Sequence, residues 1–186
     1  MKAQHPERPV NATATTASSA RLDEVDHQIL SALSLNAGLT NKALATRLGL
    51  AESTCAYRVR ALRESGVIRD TQLRVNLPAL GYPLQAIVKV RLGSHSRANV
   101  SQLYSDLVDA PGVIQAFHVA GADDFHLHVA VQNAEALRDL VLNHVTTHRV
   151  VRQTETQLVF ELRDGAGVLT HPPETREHPR TRRNRS

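Results

Sequence analysis

The sequence predicts an α+β chain: a head of three short helices followed by a βαββαβ domain. Three observations carry this. Between Leu44 and Ile68, apolar or small residues fall at Leu44, Ala45, Leu48, Leu50, Cys55, Val59 and Leu62, with Gly49 between them. That spacing describes one helix docked across another through a tight turn. From Gln85 onward, short apolar runs alternate with two stripes of helical period. Both ends of the chain are polar and poor in large apolar residues.

Length and composition narrow the classes. A chain of 186 residues with 41% hydrophobic residues can bury one core or two small ones. Tryptophan is absent and aromatics are 3%, which argues against a surface that stacks unpaired bases on aromatic rings. Net charge is +4 and the pI about 9.7, a balance that favours polyanions. Nineteen of the 22 basic residues are arginine, the side chain suited to forked phosphate and guanine contacts. Cys55 is the single cysteine, which excludes an intrachain disulfide and a thiolate cage for metal. No run approaches the ~20 apolar residues a membrane span needs, and the amino-terminal stretch has no apolar signal. A cytoplasmic protein is expected.

Residues 1–20, rich in Ala and Thr, are expected to be disordered. The first helix follows from Leu22, Val25, Ile29 and Leu33 on one stripe, with Asp23, Glu24 and Asp26 in the first turn, where acidic charge suits the helix dipole. Asn36-Ala37-Gly38 ends it, and Thr40 is placed to cap the next helix. The third helix is expected from about Glu52 to Ser65, stopping at Gly66. Val67–Val75 reads as one or two short strands. This head, residues 21–82, is a helix-turn-helix, winged-helix-like unit.

Residues 83–163 form the second domain. Ala86–Leu92 reads as a strand, and Val100, Leu103, Leu107 and Val108 as a helical stripe. Val113–Val119 and Phe125–Val131 are two further strands. Leu137, Leu140, Val141 and Val145 make the second helix, and Thr154–Leu162 the last strand. The order βαββαβ is that of a ferredoxin-like sandwich, a four-stranded antiparallel sheet with helices on one face. Residues 164–186, with prolines spread through a basic stretch, are expected to be a disordered tail, either a solvated terminus or an added attraction for DNA phosphates.

On the polar face of the third helix lie Ser53, Tyr57, Arg60 and Glu64, at a period near 3.6. A helix held this way by its predecessor can reach base edges in the major groove. Ser53, Thr54 and Tyr57 would exchange hydrogen bonds there, and Arg58 and Arg60 would fork onto guanine or clamp phosphate. Lys42 and Arg47 suit the DNA backbone. The competing interpretation is a solvated face in which Arg58, Arg60, Arg63 and Glu64 form intrahelical ion pairs.

The segments LDEVDHQIL, NKALATRLGLAESTCAYRVRALRESGVI and VAGADDFHLHVAV together resemble the Lrp/AsnC family, the feast/famine transcriptional regulators. The resemblance spans Leu22 to Leu162. It rests on an LDxxDxxIL opening, a GL turn, an RVxxLxxxGxI exit and a Gly-x-x-Asp-aromatic loop. It implies a DNA-binding regulator, not an enzyme, without cofactor, working as a homodimer that assembles further and responding to an amino acid or related metabolite. One departure is Ala51, where the family usually has a serine cap; Ser53 could take over the cap and start the helix two residues later.

The resemblance also places an effector site at Gly121-Ala122-Asp123-Asp124-Phe125. Asp123, Asp124 or loop carbonyls would accept from an ammonium, and amides near Gly121 would donate to a carboxylate. Thr154 and Thr156 would add hydroxyls. A plain hairpin turn is the alternative use of the same residues. His118, His126 and His128 are expected together on the open face of the sheet, through which family protomers pair. Two other functions compete: an enzyme resembling the sirohaem decarboxylases, which would use those histidines around a tetrapyrrole, and an architectural DNA-binding protein of low specificity.

Overall fold

The computed structural model describes residues 22–93 and 97–169. Expectations for residues 1–20 and for the basic stretch from residue 170 onward lie outside that range. The chain divides into two compact units, one holding the residues up to Gln72 together with those from Asp164, the other Leu73–Arg163.

The first unit is built from α1 (Glu24–Leu35), α2 (Asn41–Leu48) and α3 (Glu52–Glu64). Asp23 caps α1: its carboxylate accepts from Asp26 N–H while the Asp26 carboxylate accepts from Asp23 N–H, a reciprocal capping box. Thr40 caps α2 through its hydroxyl at 3.2 Å from Ala43 N, and α2 ends on left-handed Gly49 (φ 67°). The core joins Ile29, Leu30 and Ala32 to Leu44, Ala45, Cys55, Val59 and Leu62. Burial pushes the Cys55 thiol above its ordinary range, so it behaves as a small apolar filler.

One expectation for this unit fails. No strand forms between residues 67 and 75: Ile68 N–H bonds back to Leu62 O and its side chain packs on the helices, while Val67, Leu73 and Val75 stay exposed. Strand-forming residues without a neighbouring strand have nothing to pair with. α3 begins at Glu52, as expected, with Ala51 as its cap and no side-chain bond there, so Ser53 does not take over the cap. Beyond the sequence reading, Leu169 from the start of the supposed tail packs against the core of this unit.

The second unit follows the expected order: β1 (Leu84–Leu92), α4 (Arg97–Val108), β2 (Val113–His118), β3 (Phe125–Val131), α5 (Ala134–Leu140) and β4 (Val151–Val159). A single wide turn, Val141–Val145, extends α5. The sheet order is β2-β3-β1-β4, every pair antiparallel. Along β1, Ala86, Val88, Val90 and Leu92 are buried, and along β3 Phe125, Leu127, Val129 and Val131 join them. Leu103 and Leu107 of α4, with Leu137, Leu140 and Val145, cover this face.

Two boundaries move. β4 runs from Val151 to Val159 rather than from Thr154 to Leu162, because β1 offers partners only as far as Gln85↔Val159. Phe160, expected inside the strand, is therefore exposed. Val108 is also exposed, since Leu103 and Leu107 already define the buried stripe of α4.

The unaided start of α3 gives a direct test. Ala51→Ser should supply the missing acceptor for the first-turn amides and stabilise the first unit by about 1 kcal/mol, read as a higher urea midpoint. An unchanged midpoint would show that those amides are already satisfied by solvent.

Candidate functional site

The buried side of α3, formed by Cys55, Val59 and Leu62, turns the opposite side outward. Ser53, Thr54, Tyr57 and Arg60 are all exposed on it, and Tyr57 stands 74% exposed, unusual for so large a ring. Arg60 Nε pairs with Glu64 Oε1 at 2.7 Å across one helical turn. Such exposed pairs contribute little and are readily exchanged for another anion. Lys42 and Arg47 are exposed on α2.

Arg58, expected with Arg60 to fork onto guanine or clamp phosphate, is instead bonded within the protein. Its Nη1 donates to Asp23 Oδ2 at 2.7 Å and to Asp26 Oδ1 at 2.9 Å. The two aspartates lie more than thirty positions away in sequence but beside α3 in space, and they offer fixed, paired acceptors for a guanidinium. The hydrogen bond from the Asp26 amide, then that from Arg58, hold the Asp23 carboxyl below its usual range. Hydrogen bonds to Asp23 and Asp26 raise the Arg58 guanidinium in turn.

In the second unit, the Gly121–Phe125 loop joins β2 to β3, with Gly121 at φ 146° in a backbone region that side chains rarely adopt. Its two carboxylates part company. Asp124 Oδ2 accepts from Leu92 N–H at 2.7 Å, and Asp124 N–H donates to Val90 O, so this residue staples the loop to the end of β1. Asp123 turns to the open face of the sheet, where Arg91 Nη2 lies 3.3 Å from Oδ1 and His126 Nε2 3.4 Å from Oδ2. Partial burial pushes its carboxyl up, but the bonds from His126 and Arg91 and the charges of Arg91 and Lys89 outweigh this, leaving it below the ordinary 3.8.

Arg91 and Lys89 were not singled out from sequence, and His126, named there, was not linked to the acidic loop. The signal was present in β1: if Val88 and Val90 face the core, Lys89 and Arg91 must face away. Register then brings Lys89 opposite both His126 and Glu155, with Lys89 Nζ 3.4 Å from Glu155 Oε1. Arg91 Nε is buried without a hydrogen-bond partner among the described residues.

Thr154 and Thr156 do not join this group. They pair directly with Val90 and Val88, and directly opposed residues share a face, so both threonines lie on the helix side. An open pocket of about 400 Å³ lies at the other end of β1, lined by Leu84, Gln85, Leu158 and Phe160 among others, and no residue of the acidic loop borders it.

The three histidines separate as well. His118 pairs with Phe125, stacks on its ring at 4.7 Å and faces the helices beside Tyr104. His126 and His128 stay on the open face, where Phe117, opposite His126, takes the position expected for His118. His128 is buried, with Nε2 2.9 Å from Gln85 Oε1, and burial lowers its pKa from 6.5. Among the described residues no cluster of three His, Cys, Asp or Glu side chains could hold a metal ion.

A three-helix head presenting a polar helix, followed by a βαββαβ unit with a charged loop, defines a DNA-binding regulator with a ligand-sensing domain. Residues 22–69 match the winged helix-turn-helix DNA-binding family and residues 85–164 the Lrp/AsnC ligand binding domain. The transcriptional regulator AldR of Mycobacterium tuberculosis is 41% identical over 150 residues, covering 81% of this chain and 84% of that protein. The leucine-responsive regulatory protein of Rhizobium meliloti is 34% identical, covering 79% and 95%. The crystal structure of the M. tuberculosis AldR superposes with a TM-score of 0.67 at 38% identity, covering 80% of this chain and 98% of that one. A Neisseria meningitidis regulator solved in complex with L-Met gives 0.71 at 25% identity, covering 75% and 90%. The chain belongs to the Lrp/AsnC family of transcriptional regulators.

His128 gives this domain a pH dependence with a definite sign. A histidine kept neutral by burial binds its proton less readily folded than unfolded. Its stabilising contribution is complete above 6.5 and is lost as pH falls below that value, toward the lowered folded pKa. The drop in urea midpoint between about pH 7.5 and about pH 5.5 should therefore be smaller in His128→Gln than in the parent chain. Equal drops would mean that His128 is not the group being charged.

Proposed function

We propose that this regulator reads duplex DNA through Ser53, Thr54, Tyr57 and Arg60 on α3, with Lys42 and Arg47 on α2 gripping the sugar-phosphate backbone. The outward, aromatic-tipped face of α3 supports this, since it leaves hydrogen-bonding groups free of the protein's own core. We further read it as a homodimer that assembles to a higher oligomer, in the cytoplasm with the chromosome. Two heads would then meet half-sites about one helical turn apart, favouring a roughly palindromic operator. Among the described residues no helix is long and apolar enough to cross a membrane.

The proposed ligand is a small zwitterion, an amino acid or close relative, bound where the Gly121–Phe125 loop meets β1. The observation that carries this is Asp123 held between Arg91 and His126 on the open sheet face, opposite charges a few ångströms apart. An ammonium would exchange onto Asp123 and a carboxylate onto the Nη2 end of Arg91, whose side chain is 42% exposed. Asp124 contributes by holding the loop, and Thr154 and Thr156 are left out. Binding would bias subunit assembly and so the spacing of the heads. The tetrapyrrole-enzyme reading loses its main support, because His118 does not share a face with His126 and His128.

Thermal shift with each common amino acid at millimolar concentration tests the ligand. At least one should raise the midpoint by several degrees, and Asp123→Asn should abolish that rise. No shift with any of them would remove the amino-acid proposal. For DNA, log K should fall with log salt at about 0.9 per phosphate neutralised, and Lys42→Ala with Arg47→Ala should flatten that slope by about 2. An unchanged slope would exclude backbone contacts from α2.

A further inference from the structure

Arg58 occupies the middle of the DNA-facing helix, yet its charge is spent on the protein. Both of its acceptors belong to the capping box of α1, and that box leaves them no freedom. Asp23 Oδ1 holds the Asp26 amide and Asp26 Oδ2 holds the Asp23 amide, so the remaining oxygens, Asp23 Oδ2 and Asp26 Oδ1, are fixed when Arg58 reaches them. All four carboxylate oxygens of the box are thereby used, two on the start of α1 and two on α3.

Apolar packing alone would not orient α3 so closely. Contacts of Cys55, Val59 and Leu62 are non-directional and tolerate small rotations about the helix axis. The N-terminal cap, which could fix the start of the helix, makes no side-chain bond at Ala51. Two charge-assisted bonds from one guanidinium nitrogen supply direction, and the bond to Asp26, with side chains 29% and 16% exposed, is shielded from salt more than the bond to half-exposed Asp23. Transfer of Arg58 to a DNA phosphate would strip two aspartates of their counter-charge and leave them near a polyanion, which opposes the exchange.

We propose that Arg58 is a positioning residue for sequence discrimination: by tying α3 to the capping box of α1 it sets the rotation at which Ser53, Thr54 and Tyr57 meet base edges, and it touches no DNA itself. Base readout depends on side chains held to a fraction of an ångström, whereas phosphate attraction does not. Loss of the clamp therefore blurs the reading of sequence more than it weakens attachment.

The inference rests on α3 being the reading helix, and the test separates the two. The full chain is used to select a preferred duplex from random sequence, and its affinity is compared with that for a scrambled duplex of equal length. A parent chain that does not discriminate would defeat the reading-helix assignment. Given discrimination, Arg58→Ala should weaken the selected duplex about 10–100-fold and the scrambled one less than about 3-fold, with the salt slope unchanged. Asp23→Asn with Asp26→Asn should reproduce that pattern, and the triple variant should add little to either. Arg58→Lys, which keeps a charge and a nitrogen able to donate to both carboxylates but loses the rigid planar guanidinium, should recover part of the discrimination. A slope reduced by about 0.9 with equal losses on both duplexes would make Arg58 a phosphate contact and overturn the proposal. So would independent, additive losses. Should Arg58→Ala lose its helical signal, the double asparagine variant decides: unchanged discrimination there overturns the proposal as well.

Discussion

The first unit depends on one packing arrangement, the insertion of Cys55, Val59 and Leu62 among Ile29, Leu30 and Leu44. A fully buried Val or Leu side chain is worth about 1.5–3 kcal/mol, so Val59 and Leu62, with the smaller Cys55 beside them, suffice to decide which side of a short helix faces inward. Once that side is chosen, the 3.6-residue period sends Ser53, Thr54 and Tyr57 to solvent without further instruction. Hydrophobic burial thus selects the face, and the Arg58 clamp defines the angle. The two effects are complementary because one is strong and indifferent to direction, the other weaker and directional.

A similar division operates in the second unit. The sheet buries one face against α4, α5 and the wide turn after α5, which commits Val88, Val90, Leu127 and Val129 to the interior. Strict alternation then places Lys89, Arg91 and His126 together on the other face without any sequence proximity among them. Asp124 spends its carboxylate on the backbone of β1, which fixes the loop so that its neighbour Asp123 can meet Arg91 and His126. One aspartate builds the support and the other presents the charge.

Local patterns carried most of the fold. The three helices of the head, Thr40 as a cap, Gly49 as a turn and the βαββαβ order were all readable because each is set by residues within a few positions of one another. What escaped was decided over longer distances. Arg58 resembles any outward arginine until Asp23 and Asp26 are brought beside it. His118 was assigned to the wrong face because parity across strands depends on register, which the six-residue connection between β2 and β3 hides, and Thr154 was expected at a site from which its pairing with Val90 turns it away. Val67–Val75 has strand composition, but composition cannot supply a neighbouring strand. Asp123 was named, whereas Arg91 became visible only when alternation along β1 was combined with the loop's position.

The contact of Leu169 with the head bears on biosynthesis. It arrives 101 positions after Ile68, the preceding apolar residue packed on the same cluster. At a translation rate of roughly 5–20 residues per second, the nascent head waits about 5–20 s for that neighbour to emerge from the ribosome. During this interval the whole second unit is made and free to fold. Of the two units, the head is therefore encoded before the other and yet reaches its finished packing after it.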